Sequence, residues 1–177
     1  MRALAAIALL LASTEGLGAA APSPDEYEVK AAFLYHFAHL VDWPSPTGGD
    51  PFVIGVAGED PFGRTLDKVL ADKAVRGQPV QVQRVAGPTA LDHARVHILF
   101  VGGDDEEQRR TLAALGNQPV LTVGESARFA ERGGMIGFRV TPEGRIAFDI
   151  NLQRAEQSGL RIRSQLLKLA RIVGSPR

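Results

Sequence analysis

Residues 27–44 read YEVKAAFLYHFAHLVDWP. His36 and His39 stand three apart in this stretch, a spacing that puts both imidazoles on one face of a helix, where they could ligate a metal. No H-E-x-x-H pattern surrounds them, and their neighbours Phe37, Ala38 and Leu40 are apolar. A packed pair fits better than a metal centre, so no metal is expected. His93 and His97 straddle a helix-to-strand junction and make a weaker pair.

The segment VGESA (123–127) has the outline of a hydrolase nucleophile elbow. That elbow needs glycine at position 128, because its turn is tight, and Arg128 stands there. No histidine follows Ser126, so the usual order of serine, acid and histidine cannot be assembled. Ser126 reads instead as the N-cap of a short helix. GVAGEDPFG (55–63) lies where a strand feeds a helix, the usual seat of phosphate loops. Its spacing matches neither G-x-G-x-x-G nor G-x-x-x-x-G-K-[ST]. A turn capped by Asp60 is the simpler reading, and an anion or small-ligand site is the alternative. Gly133 and Gly134, in ERGGMIGF (131–138), suit a helix C′ position and a close backbone approach. Nothing here assembles a catalytic set, and a protein that is not an enzyme is expected.

The elements that would position these residues can be read from periodicity. Ser23 suits an N-cap, Pro24 the first helical position and Glu26 a capping box, opening a helix that runs to about Asp42 before Pro44 stops it. Val29, Phe33, Phe37 and Leu40 form one stripe; Tyr27, Ala31, Leu34, Ala38 and Val41 form another. Two apolar stripes mean burial on more than one side, with one stripe in the core and the second left for a dimer or partner contact. FVIGVAG (52–58), VHILFV (96–101) and PVLTV (119–123) are continuous apolar runs, as strands buried on both faces require. VQVQRV (80–85) alternates and belongs near a sheet edge. Helices are predicted over 60–71, 104–115 and 126–132, with one short turn at 89–93. Residues 135–150 alternate about a T-P-E-G turn and predict an antiparallel hairpin. Two helical stretches close the chain. In the last, Ile162, Leu166, Leu169, Ala170 and Val173 share a stripe, while Arg161, Lys168 and Arg171 lie outside it. That outer side is a solvated face or a patch for an acidic partner or an anionic membrane surface. Strands alternating with helices predict an α/β sandwich: a mainly parallel, mixed sheet with a late hairpin and helices on both faces.

Composition narrows the classes. The 177 residues can bury a real core, and 45% are hydrophobic. Basic and acidic residues balance at 20 each, which argues against a nucleic-acid partner. Residues 1–20 carry Arg2, then the apolar run ALAAIALLLA, then small residues ending in Ala19 and Ala20. This predicts a cleaved signal peptide at 1–20, with an uncleaved N-terminal anchor as the alternative, and a single domain over 21–177, exported and without stable membrane insertion after cleavage. The chain has no cysteine, so neither disulfides nor thiol chemistry can support it.

Taken as a set, several blocks resemble the YfiR-like family of periplasmic regulators. They are YEVKAAFLYHFAHLVDWP, FVIGVAGEDPFG, VHILFV, PVLTVGESARFAERGGMIGF and IAFDINLQRAEQSGLRIRSQLLKLARIV, in that order. The resemblance covers roughly residues 27–173. It implies an α/β sandwich without catalysis or cofactor, located in the periplasm and tending to form a homodimer. It also implies a repressor that binds the periplasmic region of an inner-membrane diguanylate cyclase and lowers cyclic di-GMP, and with it biofilm formation. A sensor kinase is the alternative partner, and a small-ligand sensor the alternative role. Redox sensing by disulfides, known in some members, does not carry over. For the partner surface the candidates are Tyr35, Trp43, Arg128, Glu131 and Arg132, aromatic and charged residues on helix ends and loops. For a ligand pocket they are Glu59, Asp60 and Glu125, at the carboxyl ends of predicted parallel strands.

Overall fold

A computed structural model of the chain describes residues 24–44, 50–86 and 95–174. In chain order the elements are α1 (Pro24–Leu40), β1 (Val41–Asp42), β2 (Phe52–Ala57), α2 (Arg64–Leu70), β3 (Ala74–Val75), β4 (Gln78–Val85), β5 (Ile98–Val101), α3 (Asp105–Leu115), β6 (Leu121–Gly124), β7 (Ile136–Val140), β8 (Ile146–Asn151), α4 (Leu152–Gln157), β9 (Arg161–Ile162), α5 (Ser164–Leu167) and β10 (Arg171–Val173). Ser23, the predicted turn at 89–93 with His93, and the leader at 1–20 lie outside the described residues.

Eight strands form one sheet in the order β10-β8-β7-β6-β5-β2-β4-β3, and β1 pairs with β9 in a separate ribbon. Within the large sheet β2 runs parallel to β4 and β5, β5 to β6, β6 to β7, and β8 to β10. β7–β8 and β3–β4 are antiparallel. The mainly parallel α/β sheet with a late hairpin is therefore as the sequence predicts. β2, β5 and β6 are buried along their whole length, because both faces are covered. Ile54, Val56, Ile98, Phe100, Leu121 and Val123 join α1 on one side. Val53, Ala57, Leu99 and Val101 join Leu112 and Leu115 of α3 on the other.

α1 lies in a trough. Phe33 and Phe37 meet Phe148 of the hairpin at ring-centroid distances of 5.5 and 5.2 Å, and Phe37 meets Phe138 at 5.9 Å. Toward α2, Tyr27 packs edge-on against Phe62 at 5.5 Å, and Phe62 against Phe100 at 4.8 Å. Both apolar stripes are thus used internally, which corrects the expectation that one is free for a partner. Of these side chains Val29 is the one left exposed.

Four features differ from the predicted ones, two for tertiary reasons and two for local ones. α1 stops at Leu40 because Val41 and Asp42 pair with Ile162 and Arg161. α2 starts at Arg64 rather than Asp60, because Asp60 Oδ1 accepts hydrogen bonds from the amides of Phe62 and Gly63 and so closes a separate turn. Residues 126–132 form successive turns and no helix, since Arg128 takes a left-handed φ of 60°. Gly133 ends those turns and is not a helix C′ residue. The final amphipathic stretch is split between β9, α5 and β10. There Arg161 is a strand residue, Lys168 caps α5, and Arg171 lies in β10 with its guanidinium on Asp149.

Replacing Phe37, which is fully buried, with alanine should destabilise the fold by about 3–5 kcal/mol, whereas Val29→Ala on the same helix should change it by less than about 0.5 kcal/mol. Urea denaturation followed by circular dichroism checks the contrast. Equal effects would show that the hairpin does not anchor α1.

Candidate functional site

From β2 the chain goes to β4 on one side and then returns to β5 on the other. In such a sheet a crevice opens at the carboxyl ends of the strands where the order reverses. Here that point lies between β2 and β5. The two connecting loops come close: a Cβ added to Gly102 would fall 2.0 Å from the carbonyl oxygen of Glu59. Glycine at 102 is needed for this approach. Asp104 then starts α3 with a capping box, its carboxylate accepting from the amides of Glu106 and Glu107.

A cavity of about 210 Å³ opens at this point, lined by Tyr27, Glu59, Gly102, Gln108, Glu125 and Ser126 among others. α1 supplies its floor. The buried Lys30 ammonium bridges Glu26 and Glu125 at 2.5 Å each, and the Tyr27 hydroxyl donates to Glu125 Oε1 at 3.3 Å. Burial, and then the Glu125 carboxylate, push the Tyr27 phenol up to about 12. Tyr27 therefore keeps its proton and acts as a hydrogen-bond donor. Ser126 Oγ donates to Gln108 Oε1 at 2.6 Å and accepts from Arg132 Nη2 at 3.2 Å. It caps no helix and faces no histidine. The lining can hold a small polar molecule by hydrogen bonds, with the Glu125 carboxylate already engaged by Lys30 and Tyr27.

Two of the three residues read as pocket candidates, Glu59 and Glu125, line this cavity. The third, Asp60, turns away: it closes its own turn and pairs with Arg84 at 3.1 Å. Tyr27, Lys30 and Gln108 were not among the sequence candidates. The spacing of Glu26 and Lys30 by four residues signals one half of the ion pair. No local signal marks Glu125, which is 95 residues from Lys30.

The five partner-surface candidates do not form one surface. Tyr35 donates its hydroxyl to the Ala74 carbonyl at 3.0 Å and packs on His39 at 4.7 Å. Trp43 sits at the amino ends of β2 and β5, edge-on to Phe52 and donating to the His97 carbonyl at 3.3 Å. Arg128, Glu131 and Arg132 lie beyond the carboxyl end of β6, at the opposite end of the sheet. Arg128 pairs with Glu131 at 2.7 Å, and Arg132 holds Asp105 with both terminal nitrogens. His36 is exposed and His39 half-buried. Among the described residues no group of three or more His, Cys, Asp or Glu side chains is arranged to hold a metal, and no helix is long and apolar enough to cross a membrane. His97 Nδ1 accepts from the Val53 amide at 3.0 Å, and burial holds its pKa below the ordinary histidine value.

Residues 27–171 match the YfiR/HmsC-like family. The match runs from the first described helix into the last strand, and the chain belongs to this family, a regulatory one. The fold is also similar to the crystal structure of the ABC domain in complex with L-Trp from Streptococcus pneumonia, with a TM-score of 0.50 and 14% identity. That similarity covers 69% of this chain and 55% of the other, so this chain spans little more than half its length. At this identity the likeness concerns the fold alone.

Spectrophotometric titration in a Tyr35→Phe background should find Tyr27 ionising near pH 12, with Glu125→Gln moving it back toward 10. Because the folded value is raised, the stability linked to Tyr27 is complete below about pH 10 and is lost as pH rises toward 12. A midpoint near 10 in both proteins would remove the Tyr27–Glu125 contact from the site.

Proposed function

We propose that this chain is a non-catalytic periplasmic regulator. It binds the periplasmic region of an inner-membrane diguanylate cyclase and holds it inactive, so lowering cyclic di-GMP. The observation that carries this reading is the family match over residues 27–171, which spans the α/β sheet from α1 to β10. The crevice chemistry agrees with it. Lys30, Glu26, Glu125 and Tyr27 are engaged with one another, and Asp60 with Arg84, which suits structure and recognition better than proton transfer.

A second reading draws on the cavity at the strand reversal, where small ligands bind in sheets of this kind. On it, the chain is a small-ligand sensor subunit acting on a membrane kinase. A thermal-shift screen of the purified protein with amino acids and nucleotides would show stabilisation by at least one compound if this holds.

Cellular cyclic di-GMP tests the first reading. Deleting the gene should raise it, and restoring the full chain should lower it again. A form lacking residues 1–20 should fail to do so, because it stays on the wrong side of the membrane. Unchanged cyclic di-GMP on deletion, or full rescue by the leaderless form, would overturn the reading.

A further inference from the structure

The exposed large hydrophobic side chains among the described residues are Val29, Val140, Leu169 and Ile172. Two of the four belong to the last strand and its approach: Leu169 precedes β10 and Ile172 lies within it, while Val140 closes β7, two strands in. β10 is also the outermost strand. It pairs with β8 on one side, and among the described residues no strand pairs with its other side. Ile172 stands beside Ile150, and Ile150 beside Ile136, so Ile172 lies on the face that carries Phe138, Phe148 and Val140. Arg171 stands beside Asp149 and lies on the opposite face, together with Arg139.

Charge on that opposite face is layered. The Asp149 side chain is 11% exposed and accepts from Arg139 Nε at 3.0 Å and from Arg171 Nε at 2.9 Å. The two guanidiniums cover it and are themselves 42% and 57% exposed. Solvent therefore meets two cations above one sheltered anion. Arg145, toward the hairpin tip, is paired with Glu143 at 3.7 Å and adds no net charge to this surface.

We propose that β10 is the docking edge for an extended acidic segment of a partner protein, which joins the sheet as a further strand. The inference deepens the regulatory reading above and rests on it for the identity of the partner. A strand laid beside β10 turns alternate side chains to the two faces. On one face they meet Arg171 and Arg139, and on the other Ile172. The fitting occupant alternates acidic and apolar residues. Main-chain hydrogen bonds along the edge supply affinity, and the two faces supply selectivity. Charge also speaks against a second copy of this chain as the occupant, since its β10 would bring another Arg171 and Arg139 onto the positive face.

The test is fluorescence anisotropy of a labelled octapeptide, Glu-Val-Glu-Val-Glu-Thr-Glu-Val, on the full mature protein, beside a peptide with lysine at each glutamate. The acidic peptide should bind, and the lysine peptide should not at the same concentration. Raising salt to about 0.5 M should weaken binding roughly tenfold. Ile172→Glu should abolish it and Ile172→Lys weaken it less, since both lose the apolar contact and only the first also repels the acidic peptide, a contrast of charge sign that a merely structural role of Ile172 would not give. Val29→Glu places the same charge on α1 and should change nothing. Failure of the acidic peptide to bind, equal binding of both peptides, or equal loss in both Ile172 variants would overturn the proposal. So would binding confined to phosphatidylglycerol vesicles, or a dimer in solution that dissociates in Ile172→Glu. In cells, full repression of cyclic di-GMP by Ile172→Glu would overturn the docking edge and leave the regulatory reading intact. Peptide binding together with no effect of the native chain on cyclic di-GMP would support the docking edge and sink the regulatory reading.

Discussion

The contact of Phe33 and Phe37 with Phe138 and Phe148 is the constraint on which the rest of the structure depends. The chain has no cysteine, so burial alone must hold it. These four rings fix α1 across the sheet. Once α1 is fixed, Tyr27 and Lys30, near its start, reach the carboxyl ends of β2 and β6, and the crevice acquires a floor. The ion pair of Lys30 with Glu125 is thus a consequence of aromatic packing up to about two turns away along the helix. The hairpin is bound by the same contact. Phe138 and Phe148 are committed to the α1 rings, which leaves the other face of the hairpin, with Arg139 and Asp149, to carry the charge.

A chain of balanced charge can still present strongly local fields. Here the balance is achieved pair by pair: Asp42 with Arg76 and Arg163, Asp67 and Asp60 with Arg84, Asp105 with Arg132, Asp149 with Arg139 and Arg171. In two of these, at Asp42 and Asp149, one carboxylate serves two arginines, while Arg84 serves two carboxylates. At Asp149 the shared anion is the more deeply placed partner, so the spare positive charge lies on the outside. Two of these groups also tie the late part of the chain down. Arg163 holds β1 to the segment after β9, and Arg171 holds β10 to β8.

Much of the sheet was legible in the sequence, for physical reasons that differ between strands. β2, β5 and β6 are covered on both faces, and only uninterrupted apolar runs satisfy that. β7 and β8 announce themselves by alternation around the turn at Gly144, whose φ of 74° suits glycine. The last segment was misread because a helical stripe is a local property. What decides its conformation is distant: Val41 for Ile162, and Asp149 for Arg171. Residues 126–132 were misread for a subtler reason, the left-handed conformation of Arg128, which no residue type there advertises. Of the crevice, Glu59 and Glu125 were legible because strand ends in parallel sheets are predictable places. Lys30 was not, since its second partner comes from the far half of the chain.

The seat of α1 is built from the second half of the polypeptide, and this sets the order in which the molecule can be made. α1 is synthesised first, yet the rings that receive it follow roughly a hundred residues later, a high-contact-order arrangement that delays closure. Until the hairpin arrives, Phe33 and Phe37 lack the rings they pack against. The contact that stabilises the finished molecule is therefore among the last that synthesis makes possible.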